Sequence, residues 1–111
     1  MIVERARRLR KGTEFDTAYR EGTVIGGPLL VLRVRANGLG VTRWGFAVGK
    51  RIAPLATRRN RAKRVLSEAA RGVAVQGGLD IVVTARAASL DASFDALRRA
   101  IERALERASA A

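Results

Sequence analysis

The sequence contains no cysteine and no histidine. The first absence excludes disulfides, thiolate metal sites and cysteine nucleophiles. The second removes the commonest general base and the commonest metal ligand. Acids are scarce, 10 Asp+Glu against 22 Lys+Arg. The close acidic pairs, Glu14/Asp16 and Asp91/Asp95, sit where helices begin, so they read as helix-start residues and not as a metal cluster. No stretch approaches the roughly 20 apolar residues that a membrane span needs. The start, Met1-Ile2-Val3-Glu4-Arg5-Ala6-Arg7-Arg8, lacks the apolar core of a signal peptide. A cytoplasmic protein without membrane attachment is the expectation. Much ordinary enzyme chemistry is therefore absent.

What is present is a short basic chain: 111 residues, net charge +12, 48% hydrophobic and 29% charged. That balance suits one globular domain over residues 1–111 and not a disordered polycation. Within it, 1–12 read as a basic N-terminal arm and 109–111 as a fraying tail. The charge is localised. Residues 1–12 carry five bases and one acid, and residues 43–71 carry nine bases and one acid, while 13–42 and 72–111 are each neutral. A surface that tracks phosphates needs such concentration.

Thr13, with Asp16 three residues on, predicts a helix N-cap, and Gly22 predicts the stop. Thr23-Val24-Ile25 reads as a short strand and Leu29–Ala36 as a second. Asn37-Gly38 is a hairpin signal, with Arg43–Lys50 as the returning strand. Pro54 and Thr57 announce a second helix reaching about Val73. Leu79–Ala85 reads as a strand, and Ser89 or Asp91 as the start of a last helix. Its predicted core stripe is Leu90, Phe94, Leu97, Ile101, Leu105 and Ala108. The order α-β-β-β-α-β-α predicts an α+β sandwich with the helices on one sheet face.

In Arg43–Lys50, Trp44, Phe46 and Val48 should pack inward, leaving Gly45, Ala47 and Gly49 opposite. That bare face either packs tightly against another element or stays open to an extended ligand. Arg33 and Arg35 alternate onto the open side of the preceding strand, which favours the second reading. On the second helix, Asn60, Arg64, Ser67 and Arg71 oppose the stripe Ala62, Val65, Leu66, Ala69 and Val73, with Arg61 and Lys63 on the shoulders. Arg58 and Arg59 occupy its first turn, where positive charge opposes the helix dipole and a docked anion would relieve it. Phe15 and Tyr19, four apart on the first helix, are either core or a stacking surface for bases. Gly45–Arg51 imitates a phosphate-binding loop but is one residue short, ends in arginine and lies inside a strand.

These residues resemble the bacterial ribonuclease P protein family. The resemblance rests on Arg59-Asn60-Arg61-Ala62-Lys63-Arg64-Val65-Leu66 preceded by Phe46-Ala47-Val48-Gly49-Lys50-Arg51. Arg8-Leu9-Arg10-Lys11, the spacing Phe15…Tyr19…Gly22 and Asp80–Arg86 support it. It covers residues 8 to about 105. The resemblance implies a ribosomal-protein-like fold with a split β-α-β core and a left-handed crossover. It implies a protein subunit that helps a catalytic RNA remove 5′ leaders from precursor tRNA, with the catalytic centre and its Mg²⁺ on the RNA. The implied partners are that RNA and precursor tRNA, in a 1:1 ribonucleoprotein with a monomeric protein and no small-molecule substrate. Arg59, Asn60, Arg61, Lys63 and Arg64 would face the catalytic RNA, and Lys50 and Arg51 would flank a leader cleft. Phe15, Tyr19 and Ala47 would line that cleft. With the face argument, Arg58 and Arg71 join the RNA-binding set, and Arg33 and Arg35 join the cleft. Arg33, Ser67 and Ala70 depart from residues frequent in the family. A structural, ribosomal-type RNA-binding protein without processing activity is the alternative.

Overall fold

A computed structural model of the chain describes residues 8–9 and 12–110. The expectations for the basic arm at 1–7, Arg10 and Lys11 lie outside the described residues. Three helices and four strands follow the order α1 (Gly12–Glu21), β1 (Thr23–Gly26), β2 (Leu30–Ala36), β3 (Arg43–Ala47), α2 (Ala56–Arg71), β4 (Leu79–Ala85) and α3 (Phe94–Ala110). A short 3₁₀ turn, Ala87–Asp91, precedes α3. The expected α+β order holds.

Several boundaries moved for identifiable reasons. Thr13 lies inside the first turn of α1, where its carbonyl accepts from the Thr17 hydroxyl at 2.8 Å, so it is not the cap. Gly22 does end α1: its N–H bonds the Ala18 carbonyl, and a Cβ there would collide with that oxygen. Ser93, not Ser89 or Asp91, caps α3, its Oγ accepting the Ala96 N–H at 3.1 Å. Ser89 instead bonds back to the Arg86 carbonyl at 2.7 Å and shapes the 3₁₀ turn. At the other end α3 runs to Ala110, so Ser109 and Ala110 continue the helix where fraying was expected.

The sheet order is β1-β2-β4-β3. β2 is antiparallel to both β1 and β4, and β3 runs parallel to β4. The expected β2–β3 hairpin is therefore absent. Asn37-Gly38 does turn the chain, with Gly38 at φ 72°, but β4 inserts between the two strands. The reason is burial. Ile81, Val82 and Val83 are each 0% exposed, which requires neighbours on both edges and layers on both faces. The split in the fold thus falls between β2 and β3, while β3-α2-β4 joins adjacent parallel strands.

One face of the sheet carries Ile25, Leu30, Leu32, Trp44, Phe46, Ile81 and Val83 and packs against Leu66, Ala69 and Ala70 of α2 and Leu97, Ile101 and Ala104 of α3. A smaller cluster, Leu9, Ala18 and Val82 with Phe15 against it, lies on the opposite face. Only α2 and α3 share a face; α1 covers the other. The alternation of β4 dictates this, because Val82 points away from Ile81 and Val83 and would otherwise meet water. Leu90 and Phe94, expected in the core stripe of α3, are exposed. They precede or open the helix, beyond the reach of the sheet.

Candidate nucleic-acid interface

On the face under α1, strand register places side chains in rows. Arg35, Asp80 and Arg43 form one row, Arg33, Val82 and Gly45 the next, and Val31, Thr84 and Ala47 the third. The first row is a polar lock. Arg43 donates to Asp80 through Nε at 2.9 Å and Nη2 at 2.8 Å, and to Glu14 of α1 through Nη1 at 2.7 Å. Asn37 donates to the same carboxylate at 2.8 Å. Arg35 lies 3.9 Å from Asp80 and 3.4 Å from Glu21. Burial pushes the Asp80 carboxyl up, but hydrogen bonds from Arg43 and Asn37 and the charges of Arg43 and Arg35 outweigh it and hold the group below the usual aspartate range. The bond to Asp80, offset in part by desolvation, likewise raises Arg43. Sequence reasoning missed this lock, although one acid in an otherwise apolar strand was its signal.

The second row decides between the two readings of the bare strand face. A Cβ on Gly45 would lie 2.6 Å from Phe15 Cε1 and 3.0 Å from Leu9 Cδ1. Glycine there admits the Phe15 ring, so at this row the face is packed, not open. The third row is neither packed like the second nor ion-paired like the first. Val31, Thr84 and Ala47 are half-buried, and Thr84 Oγ1 is buried without a hydrogen-bond partner. Tyr19 is 41% exposed, with the Arg33 guanidinium 4.6 Å from its ring centroid.

Of the predicted cleft residues, Phe15, Tyr19, Arg33 and Ala47 thus lie on the same side of the sheet, the face that α1 covers in part. Phe15 is half-buried and serves packing as well. Arg35 does not join them as a free base, because Glu21 and Asp80 engage it.

Past Ala47 the chain turns through Gly49, Lys50 and Arg51, with the Ala53 N–H bonding the Gly49 carbonyl at 3.0 Å. Lys50 and Arg51 are exposed and lead into α2. The first turn of α2 contains no acid and its N-cap, Leu55, supplies no side-chain bond. Arg58, Asn60, Arg61, Arg64 and Arg71 are exposed, and Lys63 is half-buried. Arg59 differs: its Nη1 donates to the carbonyls of Ala53 at 3.0 Å and Pro54 at 2.7 Å, bracing the approach to the helix. Ser67 is a correction. Expected on the solvent side, it is 0% exposed, because the covered arc of α2 runs through Leu66, Ser67, Ala69 and Ala70. Small side chains on this arc let α2 lie close to its neighbours.

Among the described residues, none of Lys50, Arg51, Arg58, Arg61, Lys63, Arg64 and Arg71 forms an ion pair, whereas Arg20, Arg35, Arg43 and Arg98 do. The α2 bases and the cleft floor lie on opposite faces of the sheet. Lys50 and Arg51 follow the edge strand β3 and lead into α2, so the two sets of residues do not make one flat groove. No group of three acidic side chains among the described residues could hold a metal ion. Among the described residues, no helix is long and apolar enough to cross a membrane.

The family model described as Ribonuclease P matches residues 3–109. The chain belongs to the ribonuclease P protein family. It is 39% identical over 85 residues to the ribonuclease P protein component of Dehalococcoides mccartyi strain CBDB1, covering 77% of this chain and 70% of that protein. The component from Symbiobacterium thermophilum is 39% identical over 92 residues, covering 80% and 79%. Among solved structures, the RNase P protein of Thermotoga maritima superposes with a TM-score of 0.78 at 32% identity, covering 90% of this chain and 96% of that one. The Staphylococcus aureus RNase P protein gives 0.79 at 25% identity, covering 94% and 96%. The α+β architecture and tRNA processing as the field of activity follow from this membership.

Proposed function

We propose that this ribonuclease P protein binds the catalytic RNA through α2 and the 5′ leader of precursor tRNA along the Val31–Thr84–Ala47 floor. It thereby assists Mg²⁺-dependent endonucleolytic removal of the leader in the cytoplasm, one protein per RNA. The observation that carries the reading is that, among the described residues, Lys50, Arg51, Arg58, Arg61, Lys63, Arg64 and Arg71 form no ion pair, in a run that begins just past Ala47. Bound cations release counterions from two converging polyanions and lower their mutual repulsion. The floor offers aromatic and guanidinium surface beside the short side chains of Val31, Thr84 and Ala47, which suits a single strand without demanding a fixed sequence.

Phosphodiester hydrolysis needs an activated water. This chain lacks histidine and, among its described residues, a metal-holding acidic group, so the reading assigns that chemistry to metal ions on the RNA. The protein's own contribution is to bind, orient and neutralise.

Reconstitution tests the proposal. Adding the chain to ribonuclease P RNA at low Mg²⁺ should restore cleavage of a precursor tRNA at its mature 5′ end. Leader affinity should fall with salt at a log–log slope of about −0.7 per phosphate contact. Binding of the RNA with no gain in cleavage would instead identify a purely structural RNA-binding protein. Arg61→Ala with Arg64→Ala should weaken assembly while circular dichroism stays unchanged.

A further inference from the structure

Phe94 is 46% exposed at the start of α3, although helical periodicity placed it in the core. Its ring walls an open hollow of about 390 Å³ together with Glu68, Arg71 and Gly72 at the C-terminal end of α2. Gly72 has no conformational need to be glycine, since its φ is −82°. Packing does not require it either: a Cβ would meet nothing nearer than Arg98 Cδ at 3.5 Å, an ordinary contact. The missing side chain leaves the hollow open beside the ring. Arg71 is exposed and lies seven residues from Arg64 on nearly the same side of α2, about 10 Å further along the axis. A strand lying on Arg64 would therefore reach it.

We propose that Phe94, Gly72 and Arg71 form a stacking station for one unpaired nucleotide of the ribonuclease P RNA, outside the leader cleft. The base lies on the Phe94 ring over Gly72, and its phosphate meets Arg71. The charge of α2, five arginines and one lysine against one acid, selects a polyanion over another protein face. The inference rests on the RNA-binding reading of α2.

The test measures assembly of the full chain with ribonuclease P RNA for wild type, Phe94→Ala, Phe94→Leu, Phe94→Trp and Gly72→Ala. Phe94→Ala and Phe94→Leu should each weaken assembly roughly fivefold to a hundredfold, the range of one lost base stack. Phe94→Trp should retain affinity, and its added emission should be quenched by the RNA; Trp44, 5% exposed, supplies a constant background. Gly72→Ala should fold at least as stably, since alanine fits this backbone, yet bind more weakly. Leucine binding as well as phenylalanine, or a tryptophan that is not quenched, would overturn the station. If wild type itself fails to bind the RNA, the functional reading falls first; if wild type binds and all four variants match it, only the station falls.

Discussion

The two faces of the sheet divide the work of the molecule. Under α2 and α3 the face is apolar: Leu32, Ile81 and Ile101 are each 0% exposed and belong to one hydrophobic cluster. Under α1 the face is mixed. One row is a charged lock, one is a phenyl ring pressed on glycine, and one is half-buried. The first face sets stability through area and close packing. The second accepts polar and half-buried groups, which the apolar face stabilises from behind.

Substitutions sharpen that contrast. The largest effect belongs to the apolar face, where Ile81→Ala should cost about 4 kcal/mol, read as a lower urea midpoint. RNA assembly at low denaturant should persist; a loss of assembly with unchanged stability would mean the faces are not separable.

Asp80→Ala should cost about 3 kcal/mol, because it leaves the half-buried Arg43 with Glu14 alone and Asn37 with only the Val41 carbonyl. This lock also predicts a pH dependence. Because the folded carboxyl titrates below the unfolded aspartate value of about 3.9, its stabilisation is complete above that value. It is lost as the pH falls through the lower folded value. Asp80→Asn should therefore flatten the acid limb of the stability curve, and an unchanged limb would remove Asp80 from its cause.

Gly45→Ala should cost about 2 kcal/mol, since the new methyl meets the Phe15 ring and α1 must shift. The same variant should reduce the advantage of leader-bearing substrate over mature tRNA. Arg33→Ala is the mildest, with less than about 1 kcal/mol of stability from its contact with Tyr19. Its main effect should be weaker leader binding, measured as a smaller salt slope.

Much of this was readable from residue order. The strand Leu79–Ala85, the inward set Trp44, Phe46 and Val48, and the arginine-rich exposed side of α2 all follow from local periodicity. The hairpin at Asn37-Gly38 misled because turn chemistry fixes a change of direction, not a pairing partner. Asn37 in fact serves β4, donating to Asp80 and bonding the Gly78 carbonyl through its N–H at 2.9 Å. Ser67 misled because the covered arc of a helix depends on where its neighbours sit, and a serine fits under either outcome.

Charge distribution, element order and the family pattern were thus set by the amino-acid sequence alone, because each depends on residue types at short spacing. Strand order, the placement of α1 opposite α2, the engagement of Arg35 and the exposure of Phe94 were decided only in three dimensions. Those features depend on contacts between residues distant in the chain, such as Arg43 with Asp80 and Gly45 with Phe15. Local propensity carries no record of such pairs until packing brings them together.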